Sequence, residues 1–384
     1  MIQCPVCLQT TNHVVLTRDR VPVLQNVIVK TEDEAHRFPV ARLKICRCEV
    51  CDFVWNAEFD PAAIDYDSSY NNSVQASAVY RAHLAAMADR VLNRPGNFNC
   101  VDIGCGEGEF LAELVASGRV GKAIGFDPAF KGSHPLDSRI SVRPVYFDEE
   151  TARDLPDDIQ VVCSRHTIEH IHAPRPFIAS IAAYVKSHRL PLFLETPDVE
   201  WILRNDAFED FFYEHCSLFS PRSMKYLLRA FGLDCRVDSV YGGQYLWIEA
   251  WPADDAVEPT SLEDHAAGDA WVADTRIGEA LRYWETRLAE LSREGPVAIW
   301  GAASKGVTFA LLVDGVDFAI DLNAAKQGCF MPVSATPIVS PEEALRRGVR
   351  SIVVMNPNYL KEIEAQLQTL GWRGNLLPLR AVAT

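Results

Sequence analysis

The sequence has no hydrophobic run long enough to cross a membrane, and its first residues lack the features of a signal peptide. The start Met-Ile-Gln-Cys-Pro carries no basic stretch followed by an apolar one. A transmembrane helix needs about 20 consecutive apolar residues, and no run approaches that length. We therefore expect a cytoplasmic protein with no membrane partner.

Positive charge is scarce as well. The chain has 37 Lys and Arg residues against 52 Asp and Glu residues, which gives a formal net charge of −15. This balance repels nucleic-acid backbones and anionic membranes at long range, so we expect no nucleic-acid partner. A small anionic ligand held by local loops is still compatible with it. The sequence carries no signal for oligomeric state.

Internal repeats and low-complexity segments are also absent, and 384 residues leave room for two or three domains. Strand and helix signals alternate from Asn99 to Leu194 and again from Val297 to Met355. Such alternation is typical of parallel sheets covered by helices, and it predicts an α/β fold. Between the two regions, residues 252–268 are acidic and aperiodic, and we interpret them as a linker.

A glycine-rich loop follows the first predicted strand of this region, in the run Val101-Asp-Ile-Gly-Cys-Gly-Glu-Gly-Glu-Phe110. Asp127 ends the next strand, where a carboxylate can accept hydrogen bonds from the ribose hydroxyls of a nucleotide. The glycine spacing differs from the dinucleotide pattern, and Asp102 lies at the strand end. We therefore favour S-adenosylmethionine (SAM) over NAD(P) or a simple tight turn. The cofactor residues predicted from this loop are Asp102, Gly104, Gly106, Gly108 and Asp127.

Eleven cysteines are spread through the chain, and four of them form two Cys-x2-Cys pairs near its start. Four thiolates at this spacing can close a tetrahedral zinc site, so we predict structural Zn²⁺ held by Cys4, Cys7, Cys48 and Cys51. Cys46 is an extra thiol that offers an alternative pairing. Unligated cysteines in a small β-domain are the other interpretation. The remaining cysteines suit a reducing cytoplasm better than a disulfide framework.

Taken together, the motifs of the chain resemble the three-domain, SAM-dependent sugar C-methyltransferases, of which the tetronitrose-pathway C3-methyltransferase is the best-described kind. The resemblance spans nearly the whole chain and depends on the order of its motifs. These are the cysteine pairs, Val101–Phe110, Arg165-His-Thr-Ile-Glu-His170, Glu195-Thr-Pro197, Tyr213-Glu-His-Cys-Ser-Leu-Phe-Ser220, Trp300-Gly-Ala-Ala-Ser-Lys-Gly306, Asp321-Leu-Asn-Ala-Ala-Lys-Gln-Gly328 with Met331-Pro332, and Asn356-Pro-Asn-Tyr359.

The resemblance implies a division into three domains. Residues 1–68 would form a small zinc-binding domain, residues 69–251 a class I SAM-methyltransferase Rossmann-like domain, and residues 269–384 a second Rossmann-like domain. It also implies that the third domain helps to hold a nucleotide-linked sugar, with Gly301, Ser304, Lys305 and Asp321 near the substrate. Val307 stands where a Walker loop needs lysine, so this glycine loop is not a Walker loop.

The catalytic segment departs from the family pattern at one residue. The family usually has Tyr-His-Glu-His there, and this chain has Phe212-Tyr-Glu-His215. Glu214 and His215 match, whereas Phe212 has lost the hydroxyl of the family tyrosine and Tyr213 fills the second position. This change leaves open which acceptor is methylated, and whether that acceptor is a sugar.

Carbon methylation requires a carbon nucleophile, which forms when a base removes a proton next to a ketone. His215 is our first candidate for the base, with Glu214 orienting it or holding a sugar hydroxyl. Tyr213 or Tyr70 could donate a hydrogen bond to the resulting oxyanion, and His170 is a further candidate participant. Within the same motif as His170, we assign His166 to the cofactor site.

We therefore predict a SAM-dependent C-methyltransferase that acts on a nucleotide-linked keto-deoxysugar through an enolate. One alternative is an O- or N-methyltransferase acting on a sugar or another small metabolite, which Phe212 favours because that reaction needs no enolate. The other alternative is a non-catalytic SAM-binding scaffold, which the intact glycine loop argues against.

Overall fold

The computed structural model of the protein describes residues 2–10, 12–64, 77–132, 134–253 and 273–380. Within these ranges the chain forms three β-sheets, of four, seven and five strands. None of the helices in the described ranges is both long and apolar enough to cross a bilayer.

The first sheet is antiparallel and takes its last strand from a distant part of the chain. Its strands, in spatial order, are β1 (Asn12–Pro22), β2 (Val40–Cys48), β3 (Val54–Asn56) and β9 (Ser217–Leu218). Helix α1 (Glu32–His36) lies between β1 and β2 and begins with a capping box at Thr31. The range 1–68 predicted for the N-terminal domain therefore lacks one strand of this sheet.

The second sheet has the doubly wound order β10-β11-β8-β7-β4-β5-β6. The strands from β8 to β6 run parallel, and β11 pairs antiparallel with β8 and with β10. Its strands are β4 (Phe98–Ile103), β5 (Val120–Phe126), β6 (Ile140–Arg143), β7 (Val161–Arg165), β8 (Leu192–Pro197), β10 (Leu233–Val240) and β11 (Tyr245–Pro252). The helices of this part of the chain are α2 (Ala78–Leu92), α3 (Glu109–Ala116), α4 (Glu149–Arg153), α5 (Pro174–His188), α6 (Val199–Arg204) and α7 (Pro221–Arg229).

The third sheet is fully parallel, with the order β14-β13-β12-β15-β16. Its strands are β12 (Val297–Trp300), β13 (Phe318–Ile320), β14 (Ile338–Val339), β15 (Ser351–Val354) and β16 (Asn375–Pro378). The helices are α8 (Ala273–Leu291), α9 (Ser304–Leu312), α10 (Pro341–Arg346) and α11 (Leu360–Thr369). The α/β class expected from the alternating signals is confirmed.

Glycines at the ends of elements explain why the sequence predicts the bounds of some elements well. Helix α3 begins directly after the last glycine of the predicted loop, because Gly108 at its N-cap takes a left-handed φ of +86° that strongly favours glycine. Strand β8 ends later than the strand signal at Leu194 predicts, because it continues to Pro197 through its pairing with β11. The predicted linker falls almost wholly on residues outside the described ranges.

One apolar cluster connects the first and third sheets with helix α6, which follows strand β8 of the second sheet. Phe208 and Phe211 are fully buried and pack with Leu43 of β2 and with Phe309 of α9. We call each sheet with its helices a unit, numbered like the sheets. The segment between α6 and β9 thus lies at the junction of the three units. This segment also carries Glu214 and His215, so its position fixes theirs.

Polar contacts join the units around this junction. Val29 forms an antiparallel bridge with Phe330, which links the first unit to the third. The carboxylate of Glu362 on α11 accepts hydrogen bonds from the Ser77 hydroxyl at 2.9 Å and from the Ala78 amide at 3.1 Å, at the start of α2. The third unit therefore caps a helix of the second.

Candidate active site

A cavity of about 1170 Å³ lies where the three units meet. The carboxyl ends of β4, β5 and β7 open into it from one side, and those of β12, β13 and β15 from the other. Ligands of open α/β sheets bind at this edge of the strands. The cavity is therefore placed to hold two ligands facing each other, one on each parallel sheet.

The glycine loop after β4 forms part of one wall. Gly104 has a φ of +75°, and a β-carbon there would lie 2.0 Å from the Thr167 hydroxyl, so only glycine fits. Gly106 also has a left-handed φ, and its amide donates to Asp127 Oδ2 at 2.8 Å. Asp127 Oδ1 accepts from the Ala129 amide at 2.8 Å. These two amides fix the carboxylate in the cavity wall while each oxygen keeps a lone pair for a ligand.

Gly108 serves this loop differently from the other predicted glycines. It does not line the cavity, and its left-handed conformation instead starts helix α3. Asp102 does line the cavity and is 2% exposed, and burial raises its pKa to about 7. Its Oδ1 has no hydrogen-bond partner within the described residues, so a ligand donor could satisfy it.

A buried ion-pair network supports the same wall. Arg165 donates to Glu195 from Nε at 2.7 Å, and His83 contacts the other oxygen of this carboxylate. Burial alone would raise the pKa of Glu195, but its partners, Arg165 above all, hold that pKa at about 2. His166 takes a left-handed φ of +49°, and its ring packs edge-on against Tyr245 with centroids 4.6 Å apart. His166 also lines the cavity, on the side of the glycine loop.

The candidate acid/base residues converge in another part of the cavity wall. The ring centroid of His215 lies 4.8 Å from that of His170 and 4.1 Å from that of Phe212. Burial, followed by the charges of His170, His166 and Lys305, lowers the pKa of His215 well below its usual value. His215 is therefore neutral near pH 7, which is the form that a proton acceptor needs.

Glu214 is 1% exposed and contacts a second candidate histidine. Its Oε1 accepts from the Gln25 amide at 3.0 Å, and its Oε2 lies 3.8 Å from His170 Nδ1. The Gln25 amide comes from the connection between β1 and β2. The N-terminal unit thus contributes directly to the arrangement of this cluster.

The structure corrects the expectation for Tyr213. Its hydroxyl accepts from the Asp60 amide at 2.8 Å and faces the Glu58 carbonyl oxygen at 3.4 Å, and the residue does not line the cavity. Tyr213 therefore cannot donate to an oxyanion in the cavity, and that prediction is wrong. Phe212 lines the cavity instead. Tyr70, the other candidate donor, lies outside the described residues.

On the opposite side, the second glycine loop is tightly folded. A β-carbon on Gly306 would lie 1.9 Å from the Gly301 carbonyl oxygen, so the turn requires glycine at this position. Asp321 Oδ2 accepts from the Ala302 amide at 2.9 Å. The Ser304 hydroxyl accepts from the Asn26 side-chain amide at 3.0 Å. The four predicted substrate residues, Gly301, Ser304, Lys305 and Asp321, all line the cavity.

Lys305 is committed to a protein partner. Its Nζ lies 2.5 Å from Asp210 Oδ2 and 5.1 Å from the centroid of the Trp201 ring. A lysine paired in this way has less charge to offer a ligand than the sequence suggests.

Three cavity residues that were not predicted are Asn26, Tyr80 and Lys326. Lys326 could have been found from the motif that starts at Asp321, whereas Asn26 has no local sequence signal.

The four predicted zinc ligands form a separate buried cluster away from the cavity. Their sulfur atoms all lie within 4.8 Å of one another, with Cys4 and Cys51 at 3.6 Å and Cys7 and Cys48 at 3.4 Å. Zn–S bonds of about 2.3 Å place tetrahedral sulfurs about 3.8 Å apart, so these residues fit a zinc ion. The Val6 and Val50 amides lie 3.4 Å from Cys4 Sγ and Cys48 Sγ. Cys46 is buried but does not belong to the cluster.

Comparison with known proteins agrees with this arrangement of two facing sheets. Residues 74–236 match the family model described as a methyltransferase domain, and residues 275–378 match the C-methyltransferase C-terminal domain. The chain is also 27% identical over 308 residues to the C-methyltransferase NovU of Streptomyces niveus, covering 73% of this chain and 72% of that protein. These matches support a SAM-dependent C-methyltransferase.

Solved structures similar to the enzyme resemble less than half of it. An O-methyltransferase family protein from Burkholderia thailandensis matches with a TM-score of 0.35 and 16% identity, over 46% of this chain and 57% of that chain. A DhpI complex with SAH matches with a TM-score of 0.34 and 21% identity, over 47% of this chain and 90% of that chain. In the enzyme itself, the wall from Asp102 to Asp127 fits SAM, which supplies an electrophilic methyl group when bound.

Proposed function

We propose that the enzyme methylates a carbon atom of a nucleotide-linked keto-deoxysugar, with His215 as the base that forms the enolate. The observation that carries this proposal is the position of His215 beside Glu214 and His170 in a cavity between two facing sheets, where burial lowers its pKa well below the usual value. One sheet offers the SAM residues, and the other offers a glycine loop at the start of helix α9. A helix N-terminus of this kind favours anionic groups, such as the diphosphate of a nucleotide sugar.

In this proposal His215 removes a proton from the carbon beside the ketone. The C–H bond breaks, its electron pair forms the enolate, and an imidazole nitrogen takes the proton. Glu214 and His170 lie next to His215, where they can hold a sugar hydroxyl or stabilise the imidazolium. Because the pKa of His215 is lowered, the base should still be neutral and competent at pH 6.5, the ordinary histidine pKa, and should be lost only at a pH well below that value.

The cysteine cluster carries a second part of the proposal, which is a structural zinc ion bound by Cys4, Cys7, Cys48 and Cys51. Four buried thiols within 4.8 Å of one another would be unfavourable in any charged state without a cation between them. The same reduced thiols support a cytoplasmic location.

Proton exchange at carbon tests the central claim. We would incubate the enzyme with SAM and a panel of nucleotide keto sugars in deuterated water and analyse the sugars by mass spectrometry. His215→Asn should lower turnover by roughly 100-fold or more and remove the exchange, while SAM affinity stays unchanged. His188→Asn, at the end of α5 and outside the cavity wall, is the matched control and should behave as wild type.

The O- or N-methyltransferase alternative makes a different forecast. It is favoured by one observation, the absence of a hydroxyl at Phe212, because methylation of oxygen or nitrogen needs no enolate stabilisation. In that case even the wild-type enzyme would incorporate no deuterium at carbon. Methylated product without exchange at carbon would therefore refute the enolate mechanism.

A further inference from the structure

Lys326 is a buried lysine in the wall of the cavity. It is 4% exposed, and its Nζ donates to the Ala302 carbonyl oxygen at 3.1 Å. Ala302 belongs to the turn just before helix α9. The ammonium group therefore lies beside the glycine loop of the third unit, at the end of the cavity that the proposed function gives to the acceptor.

The charge of Lys326 has no close partner in the part of the chain that the structure describes. No carboxylate there lies within 4.0 Å of its Nζ. The nearby carboxylates of Asp321 and Glu214 attract it only at longer range. Asp321 already accepts from the Ala302 and Asn323 amides, and Glu214 accepts from the Gln25 amide.

Lys305 presents the opposite case, although it lies in the glycine loop itself. Its ammonium is 2.5 Å from Asp210, so its charge is already neutralised. Lys326 uses one of its three N–H donors on Ala302, and no other partner is found for it among the described residues. Burying an ammonium ion in this way is expensive unless an anion accompanies it.

A purely structural role does not explain this arrangement. A neutral side chain could donate to the Ala302 carbonyl without the desolvation cost of a positive charge. The cavity beside Lys326 instead leaves room for an anion to complete the pairing.

We propose that Lys326, rather than Lys305, binds a negatively charged oxygen of the acceptor. This inference rests on the proposed function, in which the acceptor carries two kinds of negatively charged oxygen. One is a phosphate oxygen of the nucleoside diphosphate, and the other is the enolate oxygen that forms when the carbon is deprotonated. In the second case Lys326 would supply the stabilisation that the missing hydroxyl at Phe212 cannot.

The test compares three substitutions at position 326 with one at position 305. Lys326→Met should lower kcat/KM for the acceptor by roughly 10- to 100-fold, as expected for a lost charge-assisted hydrogen bond. Lys326→Gln can still donate to Ala302 but has no charge, so it should lose nearly as much. Lys326→Arg should recover part of the activity. Lys305→Met should cause the smaller loss.

The binding of nucleotide alone distinguishes the two oxygens. Calorimetry with thymidine diphosphate and with uridine diphosphate should show weaker binding in Lys326→Gln if the partner is a phosphate, with the loss in KM. If the partner is the enolate, nucleotide affinity should stay unchanged and kcat should fall. SAM affinity should be wild-type in every variant, which also reports correct folding.

Two results would overturn the inference. One is a folded Lys326→Gln variant with wild-type kcat, KM and nucleotide affinity, and the other is a larger loss in Lys305→Met than in Lys326→Met. The nucleotide measurements need no turnover. They therefore test Lys326 even if no keto sugar in the panel proves to be a substrate, which would count against the proposed function alone.

Discussion

At the scale of single residues, the cavity differs from the family pattern most clearly beside His215, the proposed base. The ring of Phe212 lies 4.1 Å from that of His215, between centroids, and it lines the cavity without offering a hydrogen bond. The neighbouring tyrosine does not compensate, since the Tyr213 hydroxyl is held by the Asp60 amide. The wall beside His215 therefore lacks the hydroxyl group that the family pattern places there.

Phe212→Tyr should restore that group. We expect turnover on ordinary keto sugars to rise several-fold, because a phenol beside His215 can donate to the enolate oxygen. Phe211→Tyr is the matched control, as Phe211 is fully buried and does not line the cavity. It should lower stability without raising turnover. Steady-state kinetics and thermal unfolding of both variants measure this, and a fall in turnover for Phe212→Tyr would contradict the prediction.

Asp102 should couple SAM binding to proton release. Burial raises its pKa to about 7, so near neutral pH a substantial fraction of the free enzyme carries the proton there. A ligand that donates to this carboxylate favours the ionised form and lowers the pKa. SAM should then bind more tightly as the pH rises through about 7, with release of a fraction of a proton.

Calorimetry in buffers of different ionisation enthalpy measures that release. Asp102→Asn should abolish it. Asp198→Asn is the control, because Asp198 also has a pKa of about 7 but does not line the cavity, and asparagine can still cap α6. If Asp102→Asn releases as many protons as wild type, Asp102 is not the coupled group.

The site residues that sequence alone could predict are those whose position follows from their own motif. Asp127 and Gly104 were predictable because a glycine loop and a strand end determine where they lie. The roles of Tyr213 and Lys305 were not predictable, because they depend on contacts with distant segments. The Tyr213 hydroxyl is held by the backbone of residues 58–60, and the Lys305 ammonium is paired with Asp210.

At the scale of elements, the segment between α6 and β9 is held by two arginines from opposite ends of the chain. Arg18 of β1 donates to the Phe211 and Phe208 carbonyl oxygens, each at 2.7 Å. Arg380, which follows β16, pairs with the buried Glu209 and donates to the Asn205 carbonyl oxygen. The segment that carries Glu214 and His215 is thus fixed by both terminal units.

Removing one of these arginines should destabilise the fold. Arg380→Met leaves the carboxylate of Glu209 buried without its partner, so we expect a loss of about 3–5 kcal/mol in the free energy of unfolding. The double variant Arg380→Met with Glu209→Gln removes the unpaired charge and should regain much of that loss. Urea unfolding measures both variants, and equal stability of the single and double variants would contradict this account.

The length of a helix or strand decides whether the sequence can predict it. Helix α3 and strand β4 adjoin a glycine loop and have clear periodicity, so they were predictable. Strand β9 has two residues, and its pairing with β3 depends on the docking of the whole segment. No local pattern marks such a strand.

At the scale of the whole molecule, the N-terminal unit contributes to the cavity through Gln25 and Asn26. These residues lie between β1 and β2, and they contact Glu214 and Ser304. The cysteine cluster lies elsewhere in the same unit. It packs in the same apolar cluster as Ile103 of β4 and Phe126 of β5, so loss of metal should disturb the SAM end of the cavity as well as the acceptor end.

Metal content tests this dependence. The purified enzyme should contain about one zinc ion per chain, following the four-thiolate rule. Cys48→Ser should lose the metal, unfold at a lower temperature and bind both the acceptor and SAM more weakly. Cys46→Ser, which lies outside the cluster, should keep the zinc. Metal-free protein with wild-type acceptor kinetics would contradict this prediction.

The first sheet takes its fourth strand from a distant part of the chain, and this has a consequence for synthesis of the chain on the ribosome. Strands β1, β2 and β3 emerge early, but their fourth partner, β9, is translated only after most of the seven-stranded sheet. Until β9 has been translated, β3 of the nascent N-terminal unit is therefore exposed as an edge strand. Because β9 closely follows Glu214 and His215, the late pairing that covers this edge also positions these two residues. Completion of this sheet thus places one part of the cavity wall, and the cavity is closed only when residues 297–380 have been translated.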